Sequence, residues 1–184
     1  MLRDVDIRRP LHGWLENRYR RHCHTKILSE MNIPRPSARI DIAVVNGELA
    51  GYEIKSDADS LARLPIQMRA FNRVFDKVFL VTTERHLSAA IALVPEFWGL
   101  ATSSQYGNDV RIRTRRQASK NLKIDLEAQL HLLNLIEIIT ILKDANVVAR
   151  ASKLRRNEAI RLLTDNIAER NLRGYILDAL KSRT

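Results

Sequence analysis

Hydrophobic periodicity in this chain predicts an α/β fold: a helix, a three-stranded meander, a second helix and a further strand, then a helical C-terminal extension. Three observations carry it. Two β-patterned runs, Arg39-Ile40-Asp41-Ile42-Ala43-Val44-Val45 and Leu49-Ala50-Gly51-Tyr52-Glu53-Ile54-Lys55, are joined through Asn46-Gly47, a strong hairpin signal. Lys77-Val78-Phe79-Leu80-Val81-Thr82 is a near-continuous apolar run, the pattern of a strand buried on both faces and reached by a helical crossover. From Asp125 onward the apolar residues recur at helical spacing. At 184 residues one sizeable core is expected, with an α/β domain over residues 1–122 and a helical extension over 123–184 packed on it.

The elements follow in order. Asp6 or a neighbour caps a first helix running to about Arg21, with Pro10 near its start and Leu11, Trp14, Leu15 and Arg18 at helical spacing. Thr25 to Ile33 reads as a strand, closed by Pro34-Arg35-Pro36. After the hairpin, Asp57-Ala58-Asp59-Ser60 offers caps for a helical region to about Phe75, with Pro65 near the start of the main helix. Gln67, Phe71, Val74 and Phe75 share the side that packs on the sheet, so Gln67 points toward the hairpin strands. A short helix from about His86 to Leu93 leads to a strand at Phe97 to Leu100. Arg111, Arg113 and Arg115 alternate with Val110, Ile112 and Thr114, which predicts a ribbon with one cationic side. Three helices complete the chain: Asp125 to about Ala145, Ser152 to about Glu169, and Leu172 to about Lys181.

Register decides whether the hairpin builds a site, because a one-residue slip reverses every side chain. A strict two-residue loop pairs Asp41 with Tyr52 and sends Glu53 to the opposite face. A three-residue connection with Gly47 left-handed brings Asp41, Glu53 and Lys55 to one face, and this register is expected. Ile40, Ile42, Val44, Tyr52 and Ile54 then form an apolar face, while Ala43 and Gly51 stay with the acids and leave room for a metal and a backbone phosphate. Two carboxylates and an ammonium suit phosphodiester chemistry, since hard oxygens bind Mg²⁺ and a cation orients water or stabilises developing charge.

Lys and Arg number 31 against 21 Asp and Glu, a formal charge of +10, which favours a polyanionic partner such as nucleic acid. The densest positive segment holds Arg111, Arg113, Arg115, Arg116, Lys120 and Lys123 with no acid between them; with Arg39 it supplies the candidate phosphate-binding residues. A single cysteine, Cys23, allows no intrachain disulfide and fits the cytoplasm, and the N-terminus has no secretory pattern. The most hydrophobic stretch, Leu130 to Leu142, is too short for a membrane span and carries His131, Asn134 and Glu137. His22-Cys23-His24 lacks the second ligand pair a zinc site needs and reads as a buried or helix-end cluster. No glycine loop precedes a helix in the manner of a nucleotide site. The tryptophans are expected to fill core space.

Asp41, Glu53-Ile54-Lys55 and Gln67, in the order helix, strands, helix, strand, resemble the PD-(D/E)XK nuclease-like superfamily. Arg39-Ile40-Asp41-Ile42-Ala43, Gly51-Tyr52-Glu53-Ile54-Lys55-Ser56-Asp57 and Arg63-Leu64 before Gln67 are also similar to a small bacterial family of largely uncharacterised proteins within it. The resemblance covers residues 1 to about 100, and the helical remainder is similar too. It implies a restriction-endonuclease-like core over residues 1–122 and metal-dependent hydrolysis of phosphodiester bonds, usually in DNA. Asp41 and Glu53 would ligate Mg²⁺ or Mn²⁺, with Asp41 able to bridge two ions. Lys55 would position the hydrolytic water by electrostatics rather than act as a free base, and Gln67 would orient Lys55 or the scissile phosphate. An acid that the superfamily often adds from the first helix has Glu16 or Glu30 as candidates. Ile40 stands where the eponymous proline would be.

Two other classes remain beside this enzyme. One is a non-catalytic nucleic-acid-binding or regulatory protein on the same fold, working through its basic surface. The other is a helical interaction protein that forms a homo-oligomer through Leu130, Leu133 and Ile136 to Ile139 in the C-terminal helices.

Overall fold

The computed structural model describes residues 1–22, 24–34, 37–148 and 154–183. Cys23, the Arg35-Pro36 pair, Ser152 and Lys153 therefore lie outside the described residues, and with them the centre of the His22-Cys23-His24 cluster. The chain runs α1 (Asp4–Tyr19), β1 (Lys26–Pro34), β2 (Ser37–Val45), β3 (Leu49–Lys55), a 3-10 turn (Leu61–Arg63), α2 (Leu64–Val74), β4 (Lys77–Thr83) and α3 (Glu84–Leu93). It continues through β5 (Gly99–Tyr106), β6 (Asp109–Arg116), α4 (Leu126–Leu130), α5 (Leu135–Asp144), α6 (Arg156–Asn166) and α7 (Glu169–Lys181). The expected mixed α/β class is what forms, with the helical extension.

The strands make one six-stranded sheet in chain order, β1 to β6. β1, β2 and β3 pair antiparallel, β3, β4 and β5 parallel, and β6 returns antiparallel to β5. The parallel pairs are those bridged by the α2 and α3 crossovers, because only a crossover can bring a strand back in the same direction. Each face of the sheet has its own core. Ile7, Leu11 and Leu15 of α1 meet Ile42, Val44, Tyr52, Ile54, Phe79 and Val81 on one side. On the other, Phe71, Val74 and Phe75 join Leu49, Val78, Leu80 and Trp98 in a cluster that continues into Leu130, Ile138, Leu163 and Ile176. The extension thus completes the α2 layer rather than standing apart.

Polar anchors hold that layer in place. Asp76, fully buried, accepts from the Leu49 amide at 2.7 Å and pairs with Arg173 of α7. The side chain of Asn121 donates to the Asn72 and Phe75 carbonyls, and Gln129 Nε2 donates to the Val74 carbonyl at 2.7 Å. These bonds satisfy carbonyls at the C-terminal end of α2, which otherwise lack partners.

Several expectations need correction. α1 begins at Asp4, and Asp6 sits at its third position, where its carboxylate accepts the Arg3 amide at 2.8 Å. Pro10 is consequently inside the helix, where it can give Asp6 no amide bond. The helix expected from Asp125 to Ala145 is two helices, because Asn134 caps α5 by accepting from the Glu137 amide while Glu137 takes the Asn134 amide in return. Leu130 and Leu133 are core residues, and of the apolar side chains expected at an oligomer contact Ile136 is exposed.

The β2–β3 register is the expected one as far as Ile42 and Tyr52, but the common face expected for Asp41, Glu53 and Lys55 does not extend to Asp41, which bonds Arg8 of α1 while Glu53 bonds Gln67 of α2. Val45 pairs with Leu49 and Ile42 with Tyr52, across a three-residue connection, Asn46-Gly47-Glu48, in which Gly47 has φ 65°. The predicted apolar face holds for Ile42, Val44, Tyr52 and Ile54 but not for Ile40, which packs in the opposite core with Met31 and Ile33. The reason lies across the ladder. Glu30 adopts φ 54° in the gap between the Ser29↔Ile42 and Met31↔Ile40 pairs, and a left-handed residue there reverses the alternation of both strands. Gly51 also differs from expectation. A Cβ at this position would meet the Phe75 ring at 3.1 Å, so its smallness admits α2 rather than a phosphate.

Candidate metal and phosphodiester site

Asp41 falls at the point where β2 changes faces, just beyond the last β2–β3 pair. Its carboxylate turns into the opening between the two strands. Oδ2 accepts the Ile54 amide at 2.7 Å, replacing a ladder bond, and Oδ1 accepts Arg8 Nη2 of α1 at 2.7 Å. Arg8 also donates to the Asp41 carbonyl at 3.3 Å and to Asp4 through Nε at 2.9 Å. Partial burial works against the Arg8 charge, but the Asp4 and Asp41 hydrogen bonds and charges outweigh it and hold the guanidinium more firmly protonated than usual.

Glu53 and Lys55 sit two apart on β3 and share a face, the one covered by α2. Both are buried, at 2% and 8% exposure. Lys55 Nζ donates to Glu53 Oε1 at 2.6 Å, and Gln67 Nε2 from the first turn of α2 donates to the same oxygen at 2.6 Å. Pro65 near the helix start sets that turn, and Phe71 and Val74 pack its inner side, so Gln67 is delivered as its spacing predicts. Burial, then the charge of Asp41, pushes the Glu53 carboxyl up to about 7 against the opposing effect of Lys55 and Gln67. The other oxygens, Glu53 Oε2 and Gln67 Oε1, are buried without a partner. Buried acceptors without donors are costly, and a bound ion or water would relieve that cost.

The segment after Lys55 is fixed by short contacts. Asp59 accepts from the Ser56 amide at 2.8 Å and hydroxyl at 2.6 Å, while Asp57 accepts from Thr83 at 2.6 Å and from the Leu2 amide at 2.8 Å. Those bonds hold the Asp57 and Asp59 carboxyls below their ordinary range. The site thus lies outside the carboxyl ends of the parallel strands, where open α/β sheets place their ligands.

The remaining predicted residues spread apart. Glu30 lies opposite Asp41 in the ladder, but its exposed carboxylate pairs with Arg39 at 3.5 Å. Glu16 pairs with His12 on the exposed side of α1, and eight residues of helix carry it about 12 Å along the axis from Arg8. Asp4, one turn before Arg8, is the helix-borne acid that reaches the Arg8–Asp41 pair. Along β6, Arg111, Arg113 and Arg115 are exposed on one side as expected. Arg111 lies over the Tyr106 ring, and Arg115 pairs with Glu84. Arg116 belongs to the fold, donating to the Trp98 carbonyl at 2.8 Å and the Pro95 carbonyl at 3.0 Å. Lys120 is exposed in a concavity with Arg170 and Arg173. Lys55, Thr82, Thr102 and Arg113 are register partners across four neighbouring strands, so Arg113 stands about 14 Å from Lys55.

Hard oxygen donors are the right chemistry for Mg²⁺ or Mn²⁺, and Glu53 Oε2 and Gln67 Oε1 are two such oxygens without a protein donor. Among the described residues no group of three or more His, Cys, Asp or Glu side chains could hold a metal ion; Glu53 and Gln67 each keep one open buried oxygen, and both Asp41 oxygens already accept protein N–H groups. No helix among the described residues is long and apolar enough to cross a membrane.

A family model described as bacteriophage P4 protein cII matches residues 2–184. Protein cII of Enterobacteria phage P4 is 26% identical over 183 residues, spanning 100% of this chain and 68% of that protein. Among solved structures, a protein of unknown function from Silicibacter pomeroyi is similar over 99% of this chain and 98% of that one, with a TM-score of 0.44 and 17% identity.

Proposed function

The chain belongs to the bacteriophage P4 protein cII family, and we propose that it works as a metal-dependent nuclease with a PD-(D/E)XK-type, restriction-endonuclease-like core that hydrolyses phosphodiester bonds in DNA. The observation that carries this reading is the cluster at the carboxyl end of β3: Lys55 and Gln67 both donate to Glu53 Oε1, Glu53 Oε2 and Gln67 Oε1 are buried without a protein donor, and the charge of Asp41 acts on Glu53. The order α1, β1, β2, β3, α2, β4, with β4 parallel to β3, supports the core assignment.

Asp41 and Glu53 would hold the ion, with Gln67 Oε1 beside it. When bound, Mg²⁺ or Mn²⁺ supplies Lewis acidity at the phosphate and lowers the pKa of water. Lys55, anchored on Glu53 Oε1, holds the attacking water and balances charge that develops on the phosphorane oxygens. Gln67 fixes the Glu53 rotamer and leaves its remaining oxygen without a protein donor, open to an ion. Arg111 and Arg113 extend the positive surface away from Lys55 and would bind backbone phosphates about four duplex steps distant.

A second reading has an observation of its own. Both Asp41 oxygens already accept protein donors, as they would in a nucleic-acid-binding protein that has the fold without the chemistry. Labelled DNA and RNA of single-stranded, duplex and branched form, incubated with Mg²⁺, Mn²⁺ or EDTA, separate the two. Cleavage that needs the cation and disappears in Lys55→Ala is the expected result. Binding without turnover under every condition selects the second reading.

A further inference from the structure

We propose that Arg8 stands in for a second cation, so that the site takes one divalent ion per chain. The inference rests on the metal reading of Asp41 and Glu53 and concerns a residue outside that motif. A single nitrogen, Nη2, lies 2.7 Å from Asp41 Oδ1 and 3.1 Å from Asp4 Oδ2, so a positive centre sits between two carboxylates as a bridging ion would. Nε closes the second contact to Asp4 at 2.9 Å, and Nη1 reaches the Asp41 carbonyl at 3.3 Å, so four contacts hold the guanidinium between Asp4 and Asp41. α1 brings Arg8 to the Asp41 oxygen distinct from the one bonded to Ile54, while the orphaned oxygens of Glu53 and Gln67 lie on the α2 side. The guanidinium therefore takes Asp41 from the α1 side, and the open Glu53 and Gln67 oxygens belong to the α2 side. A fixed charge at this point relieves phosphate charge without the concentration dependence of a second ion.

The proposal predicts an unusual response to removing a cation. Without Arg8, the two carboxylates of Asp4 and Asp41 lose their shared partner, and a hard divalent ion satisfies them in its place. Mn²⁺ binding is measured on the full chain by calorimetry and by the loss of free-ion EPR signal, with no nucleic acid present. Wild type is expected to bind one ion, Arg8→Ala two, and Arg8→Lys one. Arg8→Ala combined with Asp4→Asn is expected to return to one, which separates a site from general loosening. Arg9→Ala, on the exposed side of α1, is expected to stay at one. Thermal melts identify any variant that fails to fold, and Arg8→Lys then carries the comparison through its Mn²⁺ affinity, expected within threefold of wild type. Two ions in wild type, an unchanged count in folded Arg8→Ala, or a larger shift in Arg8→Lys overturns the proposal. No ion in wild type overturns the metal reading with it, whereas one ion without DNA cleavage removes only the nuclease.

Discussion

Two buried carboxylates at opposite ends of the parallel strands are treated very differently. Asp76, just before β4, has one oxygen on the Leu49 amide and the other on Arg173, and its own amide donates to the Leu49 carbonyl. Glu53, near the carboxyl end of β3, has two donors crowded on one oxygen and none on the other. Burial is nearly equal, at 0% and 2% exposure. Asp76 therefore serves the fold, tying hairpin to α7, while Glu53 is left with coordinating capacity that the fold does not consume. The difference separates an acid that the fold satisfies fully from one that it satisfies by half, more clearly than burial or charge does.

The sharpest test of that contrast is Lys55→Ala. It should reduce Mg²⁺-dependent cleavage by about 10³-fold with DNA affinity retained, measured by single-turnover assay beside a binding titration. Asp76→Ala should act on the other side of the comparison. Breaking its buried pair and exposing the Leu49 amide is expected to cost about 3 kcal/mol or more in denaturant titration, and a loss under 1 kcal/mol would remove its structural role. Glu53 should behave oppositely. With its carboxyl raised from 4.5 to about 7, the folded state holds a proton over that interval that the unfolded state has released. Stability without metal should accordingly fall as pH rises from about 4.5 to 7, and Glu53→Gln should flatten the profile. A wild-type profile rising through that window would sink the assignment. The smallest effect is expected at the basic strand: Arg111→Ala and Arg113→Ala should each lower the salt dependence of DNA binding by about one phosphate, leaving both acids untouched.

The parts of this arrangement that local rules govern were legible in the sequence. Asn46-Gly47 and strand alternation yielded the register, and helical spacing brought Gln67 to β3. Arg8 was not legible, because its partner is 33 residues away and α1 holds several other cations at equally plausible positions. Asp4 and Arg8 are a local i,i+4 pair, but nothing local ties that pair to Asp41. Face reversal at Glu30 could not be anticipated from a residue type that rarely takes positive φ. Arg116 could have been separated from its neighbours by strand parity, which turns it away from Arg115. The break between α4 and α5 was hidden in an apolar run, although Asn134 followed three residues later by Glu137 is itself a capping signature.

Gly51 sets how closely the Phe75 ring can approach β3. The Phe75 ring rests where a side chain would begin, and Phe75 closes the helix whose opening turn carries Gln67. One added carbon would press on that ring and require it to give by a few tenths of an ångström, at the end of the helix opposite Gln67. Alanine scanning confined to charged residues would pass over this contact, because the atom that matters is one the protein omits.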